Sequence, residues 1–188
     1  MKTLARWLSI LGHPFVMVMA MVLGTALRFS TPREAVRAVA LVALIALVPV
    51  ALLMVRQVRS GSWANVDASN LAERPVLFIV GIGAVLALLA TTLAMRPGSF
   101  LIRGTVGVLV MLAICAVATT WIKVSLHAAF GALAATTLLL LGSPSGWPLF
   151  AVLPVLAWSR LALGRHTASE VVAGVFVGLV FGYAIVSA

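Results

Sequence analysis

Apolar runs of roughly 20 residues recur from one end of this chain to the other, and they decide what it can fold into. Coiled as a helix at about 1.5 Å per residue, such a run matches the hydrocarbon thickness of a bilayer. Inside lipid the backbone must satisfy its own hydrogen bonds, and a helix does so within one segment. Charged residues make up 9% of the 188 positions and hydrophobic ones 63%, whereas a soluble domain is about 25% charged. The sequence predicts a single domain over residues 1–188: an all-α, integral membrane helical bundle of six to seven transmembrane helices.

The first span is expected over about residues 8–27, retained rather than cleaved because the apolar run is too long for a signal sequence. His13, near its start, reads as an interfacial residue with no acid or second histidine close by in sequence. Thr31-Pro32-Arg33-Glu34 has the form of a capping box, opening a second span at about 36–55 with Pro49 as a kink. Residues 56–74 are the one long polar stretch, either a solvated loop with Trp63 at the interface or the rim of a site. Further spans follow at about 75–95 and 104–122, with a turn at Arg96-Pro97-Gly98-Ser99 between them. A fifth begins at Ser125 and His127, and a short sixth at 147–158 is broken by Pro154. After a connection over Ser159–Arg165, the last span carries His166 and Glu170 in its first turns. Gly174, Gly178 and Gly182 present a small-residue face for close helix packing. The lone Cys115 makes no intramolecular disulfide and reads as core.

The net charge of +9 comes from 13 Lys and Arg spread singly or in pairs at the ends of apolar runs. No basic stripe with interleaved aromatics appears, so membrane-border anchoring is the reading and nucleic acid is not the partner. If the third to sixth segments all cross, then the 56–74 loop, the Lys123–His127 junction and residues 159–170 share one side of the membrane. In the last of these, Arg160, Arg165, His166 and Glu170 fall within twelve residues. His166 and Glu170 are four apart, which on a helix puts both on one face. A carboxylate there fixes the tautomer of the imidazole and frees its other nitrogen to attack or to carry a proton. Guanidinium groups beside it suit phosphate oxygens.

These residues resemble the type 2 phosphatidic acid phosphatase (PAP2) superfamily, whose signature is K-x6-R-P, P-S-G-H and S-R-x5-H-x3-D. Ser159, Arg160, His166 and Glu170 match the third part, with Glu for Asp. Val124-Ser125-Leu126-His127 keeps the Ser and His of the second, and Arg74-Pro75 matches the first with Asp67 at the lysine position. The resemblance spans about residues 67–187. It implies a membrane phosphatase working without metal or other cofactor. His166 would attack phosphorus and form a phosphohistidine, Glu170 orient it, and His127 protonate the leaving alkoxide. Arg74, Arg160 and the backbone and hydroxyl of Ser125 would hold phosphate oxygens, with Ser159 and Asp67 as further site positions. Two compensations for the missing lysine suggest themselves: Asp67 pairs with Arg74, or Lys123 supplies the cation. Pro144-Ser145-Gly146-Trp147 looks like the second motif but lacks the histidine and belongs to the opposite membrane face.

Candidate substrates are phosphatidic acid, phosphatidylglycerol phosphate and polyprenyl phosphates or diphosphates, with membrane lipids as surroundings and a homo-oligomer compatible. Two other readings compete: a catalytically inactive phospholipid-binding relative, and a transporter of anions or lipids. Leaving out the candidate site residues Arg74, Lys123 and Arg160, the basic residues divide five against five between the two sides, which sets no orientation. A bacterial inner membrane location with the site facing the periplasm is implied by the resemblance alone.

Overall fold

A computed structural model describes residues 1–68, 70–95 and 99–188. Among the described residues every regular element is helical. The order is α1 (Lys2–Leu11), α2 (Pro14–Phe29), α3 (Pro32–Arg59), α4 (Arg74–Met95), α5 (Ser99–Ala118), α6 (Leu126–Leu140), α7 (Gly146–Ala162) and α8 (Ala168–Ser187). α3, α4 with the 3₁₀ turn Leu71–Glu73 before it, α5 and α8 are long and apolar enough to cross a membrane, and α1 with α2 makes a fifth if that bent pair is one span. The shorter apolar α6 and α7 are compatible with six or seven crossings. Side chains such as Ile79, Val172 and Phe176 point outward and exposed, as lipid-facing surface requires.

Several boundaries differ from expectation for identifiable reasons. The first span is broken at Gly12–His13, where Pro14 starts a new helix and the axis bends by 40°. Thr31 and Glu34 do form a capping box. Pro49 is accommodated by a π-helical turn over Val42–Leu47, so α3 continues to Arg59. α7 runs unbroken past Pro154 to Ala162, which places Ser159 and Arg160 on a helix and not in a connection. The fourth span lies earlier than expected, at Ser99–Ala118, and the Arg96–Gly98 part of the turn before it is outside the described residues.

α6 is the central helix: residues 127–135, rich in Ala and Gly, are all buried. α8 packs on it most closely, because Gly174, Gly178 and Gly182 let the backbones meet. A Cβ at Gly174 would stand 2.5 Å from the Ser125 carbonyl oxygen, and one at Gly178 would stand 2.2 Å from that of Ala129. This contact carries Glu170, at the start of α8, up against Ser125, at the start of α6: the Ser125 N–H donates to the Glu170 carbonyl at 3.1 Å. Cys115 is fully buried, in the cluster with Met111 and Leu133.

Candidate active site

The three polar stretches meet at one end of the bundle. Asp67 accepts from Arg160 Nη2 at 3.0 Å, and Asn65 Oδ1 accepts from Arg165 Nη2 at 2.6 Å, which ties the 56–74 loop to the 159–170 segment. Arg74 Nη1 donates to the Val124 carbonyl at 2.8 Å and to Thr119 Oγ1 at 3.4 Å. Lys123 Nζ donates to the Arg165 carbonyl at 2.9 Å and lies 3.8 Å from Glu170 Oε2. The look-alike Ser145 sits by Gly24 and Gly142 by Arg28, at the far end of α2 from His13.

His166 and Glu170 do meet, but not as two residues on one helix face. His166 precedes α8 in a turn opened by Gly164 at φ +65°. Thr167 is the N-cap and Glu170 the third helical residue, and the two form a capping box. Glu170 Oε2 accepts from the Thr167 N–H at 3.2 Å and bonds His166 Nδ1 at 2.8 Å. The cap thus aims the carboxylate at the imidazole and leaves Nε2 uncommitted. Burial holds the His166 pKa below its ordinary value; the Glu170 bond opposes this, and Arg74, Arg160 and Lys123 add to it. At neutral pH His166 is an uncharged base.

Arg160 is 1% exposed and Arg74 2%, a costly position for two guanidinium groups. Arg160 donates through Nη2 to Asp67 and through Nη1 to Ser9 on α1. Asp67 therefore pairs with Arg160, correcting the expected partnership with Arg74. Their separation by seven residues implied stacked helical turns, but Asp67 lies in an irregular loop. Arg74 Nε, Arg160 Nε and His127 Nε2 are buried polar atoms with no hydrogen-bond partner on the protein. Ser125 is fully buried as N-cap of α6; its hydroxyl accepts from the Ala128 N–H at 3.5 Å and its own N–H is taken by Glu170. This corrects its expected role in part, since only the hydroxyl hydrogen is left for a phosphate oxygen. Ser159 is fully buried and donates to the Leu156 carbonyl at 2.7 Å, a helix-internal use.

His127 lies within electrostatic reach of Arg160, His13, His166 and Arg74. It also lines a cavity of about 340 Å³ between α2, α3, α4, α5 and α6, whose walls are mostly apolar, among them Met21, Val50, Phe78 and Leu112. His13 and Asp67 share that lining, whereas His166, Arg74 and Arg160 do not. His127 therefore stands between the polar cluster and the apolar chamber.

Sequence reasoning missed three residues. His13 is not a bland interfacial residue: its ring meets that of His127 edge-on, with centroids 5.2 Å apart. Trp63 is buried with Val50 and Met54, not at an interface. Glu73 is buried and accepts from the Ala64 and Asn70 N–H groups at 3.0 and 3.2 Å, shaping the loop that carries Asp67. The only early signal was an Asn-x-x-Glu capping spacing at Asn70–Glu73.

Fold and site together define an all-α membrane protein with cations, imidazoles and a carboxylate gathered at one end of the bundle. Residues 116–188 match the family model of the PAP2 superfamily. The match takes in Ser125, His127, Arg160, His166 and Glu170 and leaves Asp67 and Arg74 outside it. No curated protein and no solved structure matches the chain. That match suggests phosphatase-type activity.

Proposed function

We propose that this protein is a metal-independent membrane phosphatase that hydrolyses a phosphate monoester or diphosphate of a lipid through a phosphohistidine. One observation carries the reading: His166, held by Glu170 at Nδ1 and uncommitted at Nε2, lies among buried arginines whose Nε–H groups have no acceptor on the protein. Buried donors of this kind are rare unless something outside the fold satisfies them, and phosphate oxygens are suitable acceptors. His166 Nε2 attacks phosphorus, and Glu170 stabilises the charge left on the ring. Arg74, Arg160 and Lys123 offset the charge developing on the phosphoryl oxygens, and the Ser125 hydroxyl adds a donor. His127 gives a proton to the leaving oxygen, then takes one from the water that attacks the phosphohistidine.

The apolar cavity beside His127 supports a lipid leaving group, with the tail among α2 to α6 and the phosphate at the polar end. Placement in a bacterial inner membrane with this end facing the periplasm completes the proposal. An inactive phospholipid-binding role has one observation in its favour, the engagement of Arg160 by Asp67. The two separate in a phosphate-release assay on dodecyl phosphate or phosphatidic acid in detergent with chelator present. Wild-type turnover lost in His166→Ala, with ³²P label trapped on the wild type only, is the expected result. Equal release from both proteins, or none from either, overturns the enzyme reading.

A further inference from the structure

His13 belongs to no motif of the sequence, and Asp67 stands where a lysine was expected, yet the two converge on His127. One side-chain nitrogen or oxygen from each of the three lies within 4.8 Å of the others. Two imidazoles and a carboxylate at that spacing have the outline of a metal site, but the helix cap argues otherwise. His13 is the N-cap of α2, and its Nδ1 accepts the Phe15 N–H at 3.2 Å. With that lone pair committed, the neutral ring carries its proton on Nε2, where a metal would have to bind. His13 therefore presents a donor to the cluster. His127 presents Nε2, buried and without a partner, and Asp67 presents a carboxylate already held by Arg160. All three line the polar end of the apolar cavity.

We propose that His13, with Asp67, forms a leaving-group subsite around His127. In it His13 Nε2–H donates a hydrogen bond to the departing lipid oxygen while His127 protonates it, with the Asp67 carboxylate beside both rings. This rests on the phosphohistidine reading and adds to it a catalytic residue from the N-terminal segment. The P–O bond to the lipid breaks as the His166 Nε2–P bond forms, and the electron pair on the leaving oxygen takes the proton from His127 Nε2. The His13 proton stays on His13 and shares the charge while it develops. In the second half, water attacks phosphorus, its proton returns to His127 and the P–N bond breaks. The charged or titratable groups facing His127 are Arg160, His13, His166 and Arg74, and those facing His13 are Asp67 and Arg160. Asp67 is the one acid among them, which gives the lysine-to-acid departure a purpose.

The test compares two leaving groups. Dodecyl phosphate releases a strongly basic alkoxide that needs a proton, whereas 4-nitrophenyl phosphate releases a phenolate that does not. His13→Asn keeps a good N-cap for α2 and removes the Nε2–H, so the helix is retained while the donor is lost. General acid assistance is worth about 10²–10⁴-fold. His13→Asn is expected to lower kcat on dodecyl phosphate by roughly 10- to 100-fold, as a partial share of that range, and to leave 4-nitrophenyl phosphate within about threefold. His127→Gln, which also removes the base for the water step, should slow both substrates and dodecyl phosphate the more. His13→Ser, a second capping residue, repeats the measurement should the Asn variant not fold. Equal losses on both substrates would mean that His13 is only a cap, and no loss on either would mean that it does not touch the reaction; each overturns the inference. Failure of the phosphohistidine reading looks different, because His166→Ala would then retain turnover on both substrates.

Discussion

Gly178→Ala tests whether close approach of α6 and α8 assembles the site. The added Cβ would lie 2.2 Å from the Ala129 carbonyl oxygen, 2.7 Å from Ala132 Cβ and 2.9 Å from the Leu133 nitrogen. Two of these atoms are backbone, so no side chain can swing away, and the helices must part by roughly 1 Å to restore ordinary contact. Overpacking of this kind costs about 1–3 kcal/mol. The functional loss should be larger in proportion, since α8 carries Glu170 and, just before it, His166, while α6 carries His127. A displacement of about 1 Å between reacting groups costs on the order of 10²-fold in rate. Gly81→Ala is the control: nothing lies within 4 Å of its Cβ, and Ala is better than Gly in a helix by about 1 kcal/mol. Thermal unfolding in detergent and phosphate release from dodecyl phosphate measure the two effects. Gly178→Ala matching wild type in both, or Gly81→Ala failing alongside it, would refute the argument that the glycine face positions the site.

The remaining expectations concern charge. The proposed attack needs His166 uncharged, and burial lowers its pKa, so it stays uncharged further into acid and the acid limb of kcat/KM should fall below pH 6.5. Glu170→Gln removes the bond that opposes this shift, so a smaller rate should accompany a limb moved further to acid; a limb at or above 6.5 in the wild type contradicts this. Lys123→Ala should raise KM for the lipid phosphate about 10-fold, a charge-assisted contact being worth roughly 1.5 kcal/mol; unchanged turnover and affinity would remove Lys123 as the replacement cation. Exhaustive chelation should leave phosphate release intact, and a loss restored by a divalent cation would return the His13–Asp67–His127 cluster to a metal role.

The sequence by itself determined the class of fold and named most of the polar residues that gather at one end of the bundle. Apolar runs in a chain with few charges leave helices in lipid as the solution, and that argument needs no tertiary information. The spacing of His166 and Glu170 foretold their contact, although the reason was a capping box and not a shared helix face. Small residues at Gly174, Gly178 and Gly182 foretold a close helix contact because a missing Cβ is a local fact with a packing consequence, and the structure supplied α6 as the partner. Only the tertiary structure could decide which charges face each other. Asp67 and Arg160 are far apart in sequence, and the acid chose its arginine through a loop shaped by the buried Glu73. His13 joined His127 because Pro14 breaks the first span and turns that corner inward. Pairings of this kind depend on where helices end and how they pack, and a one-dimensional pattern of apolar and polar residues does not carry that distance.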